Sequence, residues 1–186
     1  MHLHFGSKYL RLAALILSGC IASSCSASNS QMQQSGALSQ SSNAQNRAAE
    51  LQPAGHVNDF AEVLQADQMR TLEQLADEFH QQKRVEVAVV IVKTLDGKSI
   101  EEFTLELGKR WGVGHPETRH AIVIGVAIEE RQSRIEVSRG LEAAVPAEEW
   151  SRILTDARPE FKKSEYGAGL LKIMNALSGV LDKYPR

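Results

Sequence analysis

The sequence contains few cysteines, few aromatic residues and no excess of charge of one sign. Its two cysteines, Cys20 and Cys25, both lie near the N-terminus. The rest of the chain can therefore form neither a disulfide nor a cysteine-based metal site. The formal net charge is −2 over 186 residues, whereas nucleic-acid-binding domains carry a basic surplus, so nucleic acid is excluded as a partner. Any folded domain must be stabilised by a hydrophobic core.

The sequence also lacks the short motifs of several enzyme classes. It has no Gly-x-Ser-x-Gly nucleophile elbow, no Walker A loop and no Gly-x-Gly-x-x-Gly motif before a helix. Thiol catalysis is excluded after residue 25, because no cysteine follows it. Residue chemistry alone therefore names no reaction.

Residues 1–25 have the pattern of an export signal. Positive charges precede a short apolar run, residues 12–17, which is too short for the roughly 20 apolar residues that span a bilayer. The sequence Leu17-Ser18-Gly19-Cys20 resembles the lipobox of bacterial lipoproteins, in which the cysteine is acylated with chains such as palmitate. Cys25 is the alternative acylation site. We therefore expect a lipoprotein signal peptide and a lipid anchor.

Residues 26–55 are nearly all Ser, Gln, Asn and Ala and have no hydrophobic period. This composition predicts a disordered tether. A flexible chain of roughly 30 residues has a root-mean-square length of about 30 Å, so the domain would stand off the membrane.

The predicted partners are the membrane, through the anchor, and an envelope protein. The predicted location is the bacterial cell envelope, with the domain in the periplasm or at the cell exterior.

Residues 56–186 have the apolar periodicity of a globular domain. Residues 85–94 are apolar on both faces, as in a strand that helices cover on both sides. The run at residues 121–128 and the alternating segment around Ile135 predict a hairpin. Helices are expected over residues 67–83, 99–111, 146–159 and 165–183. The predicted fold is α/β: a three-layer α/β/α sandwich with a small mixed sheet, a central hairpin and two C-terminal helices.

Local signals place several helix ends. Ser99 and Glu102 have the spacing of a capping box. Gly112 lies where a left-handed residue would end the second helix. Pro159 is expected to end or kink the third helix.

The hairpin predicts a cationic patch. The start of one strand lies beside the end of the next, so Arg119 and Arg139 should be neighbours. With His120 they would bind an anion such as a phosphate or a carboxylate. In the alternative interpretation the two arginines form surface salt bridges with Asp59 or Glu142.

Three histidines, His80, His115 and His120, lie in the domain near predicted helix ends or loops. His115 and His120 flank Glu117, but a zinc or nickel site would need a further ligand. Without that ligand they are expected to be exposed loop histidines. His80 is expected to contact the carbonyl groups at the end of the first helix.

An ordered series of motifs over residues 57–181 resembles the TPM domain family. The motifs are Val57-Asn58-Asp59-x-Ala61-x-Val63-Leu64, Lys109-Arg110-Trp111-Gly112-Val113-Gly114, Arg134-Ile135-Glu136-Val137, Gly140-Leu141-Glu142 and Tyr166-x-x-Gly169-Leu170. The resemblance implies an α/β/α sandwich. Some members of the family have acid phosphatase activity, some bind calcium or another divalent cation, and others have neither assigned.

The resemblance implies that Asp59 and Glu142 are ligands of calcium or another divalent cation. In the alternative interpretation Asp59 is a turn-forming carboxylate. Glu142 would then be a carboxylate favoured by backbone amides near the start of the C-terminal helical region.

Three departures from the family pattern lie at the expected site. Glu62 replaces a usual Gly, Arg119-His120-Ala121 replaces Asp-Asn-Gly, and Ser138-Arg139-Gly140 replaces Gly-Tyr-Gly. A divalent ion needs several oxygen ligands, and a nearby guanidinium opposes its binding. We therefore expect an accessory or binding module without the family's full metal site, leaning away from an enzyme. The alternative is a divalent-cation-dependent acid phosphatase, in which the ion polarises a phosphoryl oxygen.

Overall fold

Four strands form one mixed sheet in a computed structural model that describes residues 51–184. The strands are β1 (Val57–Asp59), β2 (Glu86–Val92), β3 (Ala121–Ala127) and β4 (Gln132–Val137), and they lie side by side in that order. The first three run parallel, and β4 runs antiparallel to β3. The predicted hairpin is therefore confirmed as β3 and β4.

The predicted signal peptide, both cysteines and residues 26–50 of the predicted tether lie outside the described residues. The last residues of that predicted tether contact the domain: Leu51 accepts a hydrogen bond from Trp111 Nε1 at 3.0 Å. Ala54 donates a backbone hydrogen bond to Asn58 Oδ1 at 2.8 Å. Across residues 51–184, the helices are all too short or too polar to cross a membrane.

Five helices complete the three layers. They are α1 (Ala66–Glu78, continued by the π-helical turn Phe79–Lys83), α2 (Ile100–Trp111), α3 (Arg139–Ala144), α4 (Ala147–Lys162) and α5 (Tyr166–Lys183). Helix α2 packs on one face of the sheet, while α1, α4 and α5 cover the other. The predicted α/β/α sandwich is confirmed, and α3 is a short helix that the sequence pattern did not predict.

The side-chain alternation of β2 explains why both faces of the sheet are buried. Val87, Val89 and Ile91 belong to the core shared with α1, α4 and α5. Val90 and Val92 belong to the smaller core beneath α2. Because strand side chains alternate between faces, a strand that is apolar at every position needs a helix layer on each side.

The strand directions distinguish the two ends of the strands, which we call the C-terminal edge and the N-terminal edge of the sheet. At the C-terminal edge, β1, β2 and β3 end, and the register pairs Asp59 with Ile91. At the N-terminal edge, β2 and β3 begin and β4 ends, with Ile122 paired to Val137. Loops after the parallel strands therefore meet at one edge, and α3 follows β4 at the other.

The helix ends follow their local signals with one exception. Ser99 Oγ accepts the backbone N–H of Glu102 at 3.2 Å, and Glu102 accepts the backbone N–H of Ser99 at 3.3 Å. Gly112 has a left-handed φ of 65°. Helix α4, however, does not end at Pro159 but continues to Lys162. Proline fits helical φ, although it lacks the N–H and its ring crowds the carbonyl four residues earlier. The last turn is held by Phe161, which packs on the core.

Glu149 joins α4 to the end of α5. Its carboxylate accepts hydrogen bonds from Lys183 at 2.7 Å and from Arg152. The Lys183 hydrogen bond, and then that of Arg152, lower the pKa of Glu149 from 4.5 to about 2. A lowered folded-state pKa contributes stability above the unfolded-state value, and this contribution is lost as the pH falls from about 4.5 to about 2.

We expect Glu149→Gln to weaken the acid sensitivity of the fold over this pH interval. The measurement is the urea unfolding midpoint at several values between about pH 6 and pH 2. Glu148→Gln, at an exposed neighbouring position, is the control and should keep the wild-type profile. A Glu149→Gln profile identical to that of the wild type would contradict this role.

Candidate functional site

Asp59 organises the loop after β1 through its carboxylate. Its Oδ1 accepts the backbone N–H of Ala61 at 3.1 Å. Its Oδ2 accepts the backbone N–H groups of Val63 and Leu64 at 2.8 and 2.7 Å. Three backbone donors thus converge on one side chain, which is the geometry of a turn-forming carboxylate.

Two departures from the family pattern fall at strained backbone positions. Glu62, in the Asp59 loop, has φ 59°, and Arg119 has φ 60°. Glycine adopts such left-handed conformations without a Cβ penalty, and Asp and Asn tolerate them better than most residues. The usual Gly at position 62 and Asp at position 119 are therefore the residues that this backbone favours, and the chain keeps the backbone shape without them.

The structure does not bring Asp59 and Glu142 together. Asp59 ends β1 at the C-terminal edge, whereas Glu142 is exposed on α3, which follows β4 at the N-terminal edge. Four residues along the strands and three strand spacings separate Asp59 from the end of β4 by about 19 Å. In residues 51–184, no three His, Cys, Asp or Glu side chains are arranged to hold a metal ion. The sheet topology therefore places these two carboxylates at opposite edges rather than beside one another.

At the end of the hairpin, the structure brings His120 close to the segment that contains Arg139. Ser138 donates its backbone N–H to the carbonyl of Ala121 at 2.9 Å, which places Arg139 beside the start of β3. The imidazole of His120 lies against Gly140, where an added Cβ would be 2.9 Å from Nε2. Arg119 and Arg139 are exposed, and neither forms an ion pair within the described part of the chain. The expected salt bridges to Asp59 and Glu142 are therefore absent from that part.

Three histidines at the N-terminal edge form a cluster that the sequence interpretation missed. The ring centroids of His56 and His80 are 6.3 Å apart, and those of His80 and His115 are 4.8 Å apart. Glu86, the first residue of β2, contacts His56 at 3.1 Å and His80 at 2.6 Å. This network joins the segment before β1 to the end of α1 and to the loop before β3.

Two expectations about these histidines were wrong. His115 is buried, with 8% exposure, because its ring packs against His80. His80 contacts the Glu86 carboxylate rather than helix carbonyl groups. The Nδ1 of His115 accepts the backbone N–H of Glu117 at 3.3 Å, so this nitrogen has a structural role. The one sequence signal for the cluster is Glu86, a carboxylate at the start of β2 that could pair with nearby histidines.

A cavity of about 570 Å³ lies at the C-terminal edge. It is lined by the turn between β3 and β4, the first residues of α2, and the junction of α4 and α5, and it opens to solvent. We call it the hairpin cavity. Its cationic and aromatic lining residues are Arg131, Arg158, Phe161, Lys162 and Tyr166. Sequence reasoning missed these residues, because they come from three separate segments that meet only in the fold.

The fold and these loops define a small α/β domain. Residues 57–180, well over half of the chain, match the sequence profile of the TPM domain. The chain belongs to the TPM domain family. A search among curated proteins gave no match.

Three solved structures resemble the chain. The N-terminal domain of a protein from P. gingivalis is 28% identical, with a TM-score of 0.59, and the match covers 70% of this chain and 86% of that one. BA42 from Bizionia argentinensis is 17% identical, with a TM-score of 0.60, covering 68% and 88%. The N-terminal domain of cg2496 from Corynebacterium glutamicum is 16% identical, with a TM-score of 0.56, covering 71% and 81%. The last two show the fold alone.

Proposed function

We propose that this protein is a lipid-anchored lipoprotein of the bacterial cell envelope, and that its TPM domain is an accessory or binding module. The protein would be acylated at Cys20, with Cys25 as the alternative. The polar tether would carry the domain in the periplasm or at the cell exterior. The support for the anchor is the lipobox-like sequence. The support for a binding role comes from the hydrogen bonds of Asp59 and from the position of Glu142.

One observation carries the binding role: the Asp59 carboxylate already accepts three backbone hydrogen bonds. A divalent cation at Asp59 would compete with these donors. Each backbone donor that lost its partner in a part-buried loop would cost about 1–3 kcal/mol. Asp59 therefore serves the loop that contains it, which counts against its use as a metal ligand in the phosphatase alternative.

The position of Glu142 also argues against a metal site shared with Asp59. It lies at the opposite edge of the sheet from Asp59, and Arg139 precedes it in α3. A guanidinium close to a carboxylate makes the local potential less favourable for a divalent cation. The scaffold of the family is kept, while the charges at the ends of its hairpin favour anions over cations.

The test of the binding role is a hydrolysis assay on the purified protein in a non-ionic detergent. p-Nitrophenyl phosphate would be supplied at about pH 5 and pH 7, with EDTA, calcium or magnesium. We expect no turnover above the buffer rate under any of these conditions. Metal-stimulated turnover that is lost in Asp59→Asn, while the melting temperature is kept, would overturn the proposal in favour of the phosphatase.

The anchor is tested separately by membrane fractionation. We expect Cys20→Ala to move the protein from the membrane fraction to the soluble fraction, because acyl chains supply the membrane affinity. Cys25→Ala is the matched control and should stay membrane-bound. The reverse result would make Cys25 the acylated residue. Retention of both variants, and of the double variant, in the membrane fraction would contradict the lipoprotein assignment.

A further inference from the structure

We propose that the hairpin cavity is a binding site for a small soluble organic oxyanion, a molecule with a carboxylate-type or phosphate-type group on an apolar body. This inference rests on the proposed function, because it gives the binding module a ligand class. The cavity volume of about 570 Å³ lies within the range of roughly 300–1,000 Å³ that small-molecule sites occupy.

The charges that line the cavity are predominantly positive. Arg131 approaches from the hairpin turn, and Arg158 and Lys162 approach from the last turns of α4. None of the three has an ion-pair partner among residues 51–184. The single acidic residue in the lining, Glu101, pairs with Arg134 at 3.5 Å. Two guanidinium groups and an ammonium group are therefore available to an oxyanion, and guanidinium groups bind such anions with paired hydrogen bonds.

An apolar wall stands beside these cations. Phe161 and Tyr166 stack with ring centroids 6.1 Å apart and an interplanar angle of 29°. Both line the cavity, together with Ile100 and Val126. A cavity with cations and aromatic rings suits a ligand that carries an anionic group on an apolar body, and it suits a bare inorganic ion less well.

Two left-handed residues shape the wall of the cavity. Arg131 has φ 52° and closes the hairpin turn, and Ser164 has φ 62° and follows the end of α4, where left-handed residues are common. The cavity lies outside the carboxyl end of β3, the sheet edge at which open α/β domains bind ligands. It is distant from the arginines at the N-terminal edge, so it is a separate site.

The experiment is a calorimetric titration of the full-length protein in a non-ionic detergent with phenylphosphonate. This probe carries an oxyanion on an aromatic ring and has no ester bond to hydrolyse. We expect saturable binding that Arg158→Gln weakens about tenfold. Lys163→Gln removes one charge from the residue next to Lys162, outside the cavity, and should change the affinity less than about twofold. Inorganic phosphate should bind at least about tenfold more weakly than phenylphosphonate.

Two outcomes would overturn the proposal. The first is an absence of phenylphosphonate binding, or binding that Arg158→Gln and Lys163→Gln affect equally. The second is binding of the unacylated Cys20→Ala/Cys25→Ala double variant, without detergent, to vesicles that contain phosphatidylglycerol but not to phosphatidylcholine vesicles or phenylphosphonate, which would assign the cations to a lipid surface. Because phenylphosphonate is not hydrolysed, its binding reports the cavity whether or not the protein hydrolyses phosphomonoesters, so failure of the cavity and failure of the binding role are distinguishable.

Discussion

Replacing Gly125 by alanine is expected to destabilise the domain by about 1–3 kcal/mol, the usual cost of overpacking a core. Gly125 lies in the middle of β3, directly beneath α2. A Cβ at this position would lie 2.4 Å from Cγ2 of Thr104, which is fully buried. Either the helix or the strand must shift to make room. Urea unfolding followed by circular dichroism measures the loss.

A second substitution tests whether the contact between position 125 and Thr104 causes the loss of stability. Thr104→Ser removes the Cγ2 methyl group and keeps the hydroxyl that donates to the carbonyl of Ile100 at 2.8 Å. On its own it should cost about 1 kcal/mol, the value of one buried methyl group. Combined with Gly125→Ala, it should restore stability to within about 1 kcal/mol of the wild type. Simple addition of the two single-variant costs would show that the close approach of α2 to β3 is not the cause.

Replacing Asp59 by alanine is expected to cost about 3 kcal/mol, because hydrogen bonds to charged groups contribute about 1.5–3 kcal/mol and three donors lose one acceptor. Ala61, whose N–H is one of these donors, is buried with 8% exposure, so water replaces the acceptor poorly. The free energy of unfolding from urea titration is the measurement. Asp59→Asn, which keeps one side-chain carbonyl oxygen, should lose about half as much.

Glu142→Ala is the matched control for this prediction. Glu142 is the other acidic residue suggested by the family resemblance, and it is exposed on α3. Exposed substitutions of this kind change stability by about 0.5 kcal/mol or less. Equal costs at both positions, or no cost at Asp59, would contradict the structural role of the Asp59 carboxylate.

The scaffold was predictable because local patterns and packing agree in it. The continuous apolar run of β2 requires a helix layer on both faces, and both layers are present. Ser99 and Gly112 specify the two ends of α2 through their own backbone and side-chain chemistry. The hairpin of β3 and β4 was predictable, since antiparallel pairing depends only on a short turn.

The arrangement of the candidate sites was less predictable, because it depends on strand direction and on contacts between distant segments. Asp59 and Glu142 are separated because β1 runs parallel to β3 while β4 runs antiparallel to it. The burial of His115 depends on His80, which lies 35 residues earlier in the sequence and is brought close by the end of α1. The cations of the hairpin cavity likewise come from a turn and from a helix end that no sequence period connects.

The most direct test of this account is a calcium titration of isotope-labelled protein followed by amide NMR shifts. The central claim is that Asp59 holds its own loop and is not a metal ligand. We predict that millimolar calcium leaves the amide resonances of Ala61, Val63 and Leu64 unchanged in the wild type. The same resonances should be shifted in Asp59→Asn relative to the wild type, with or without calcium. A saturable calcium-dependent shift of these resonances in the wild type, absent in Asp59→Asn, would contradict the claim and restore the metal site.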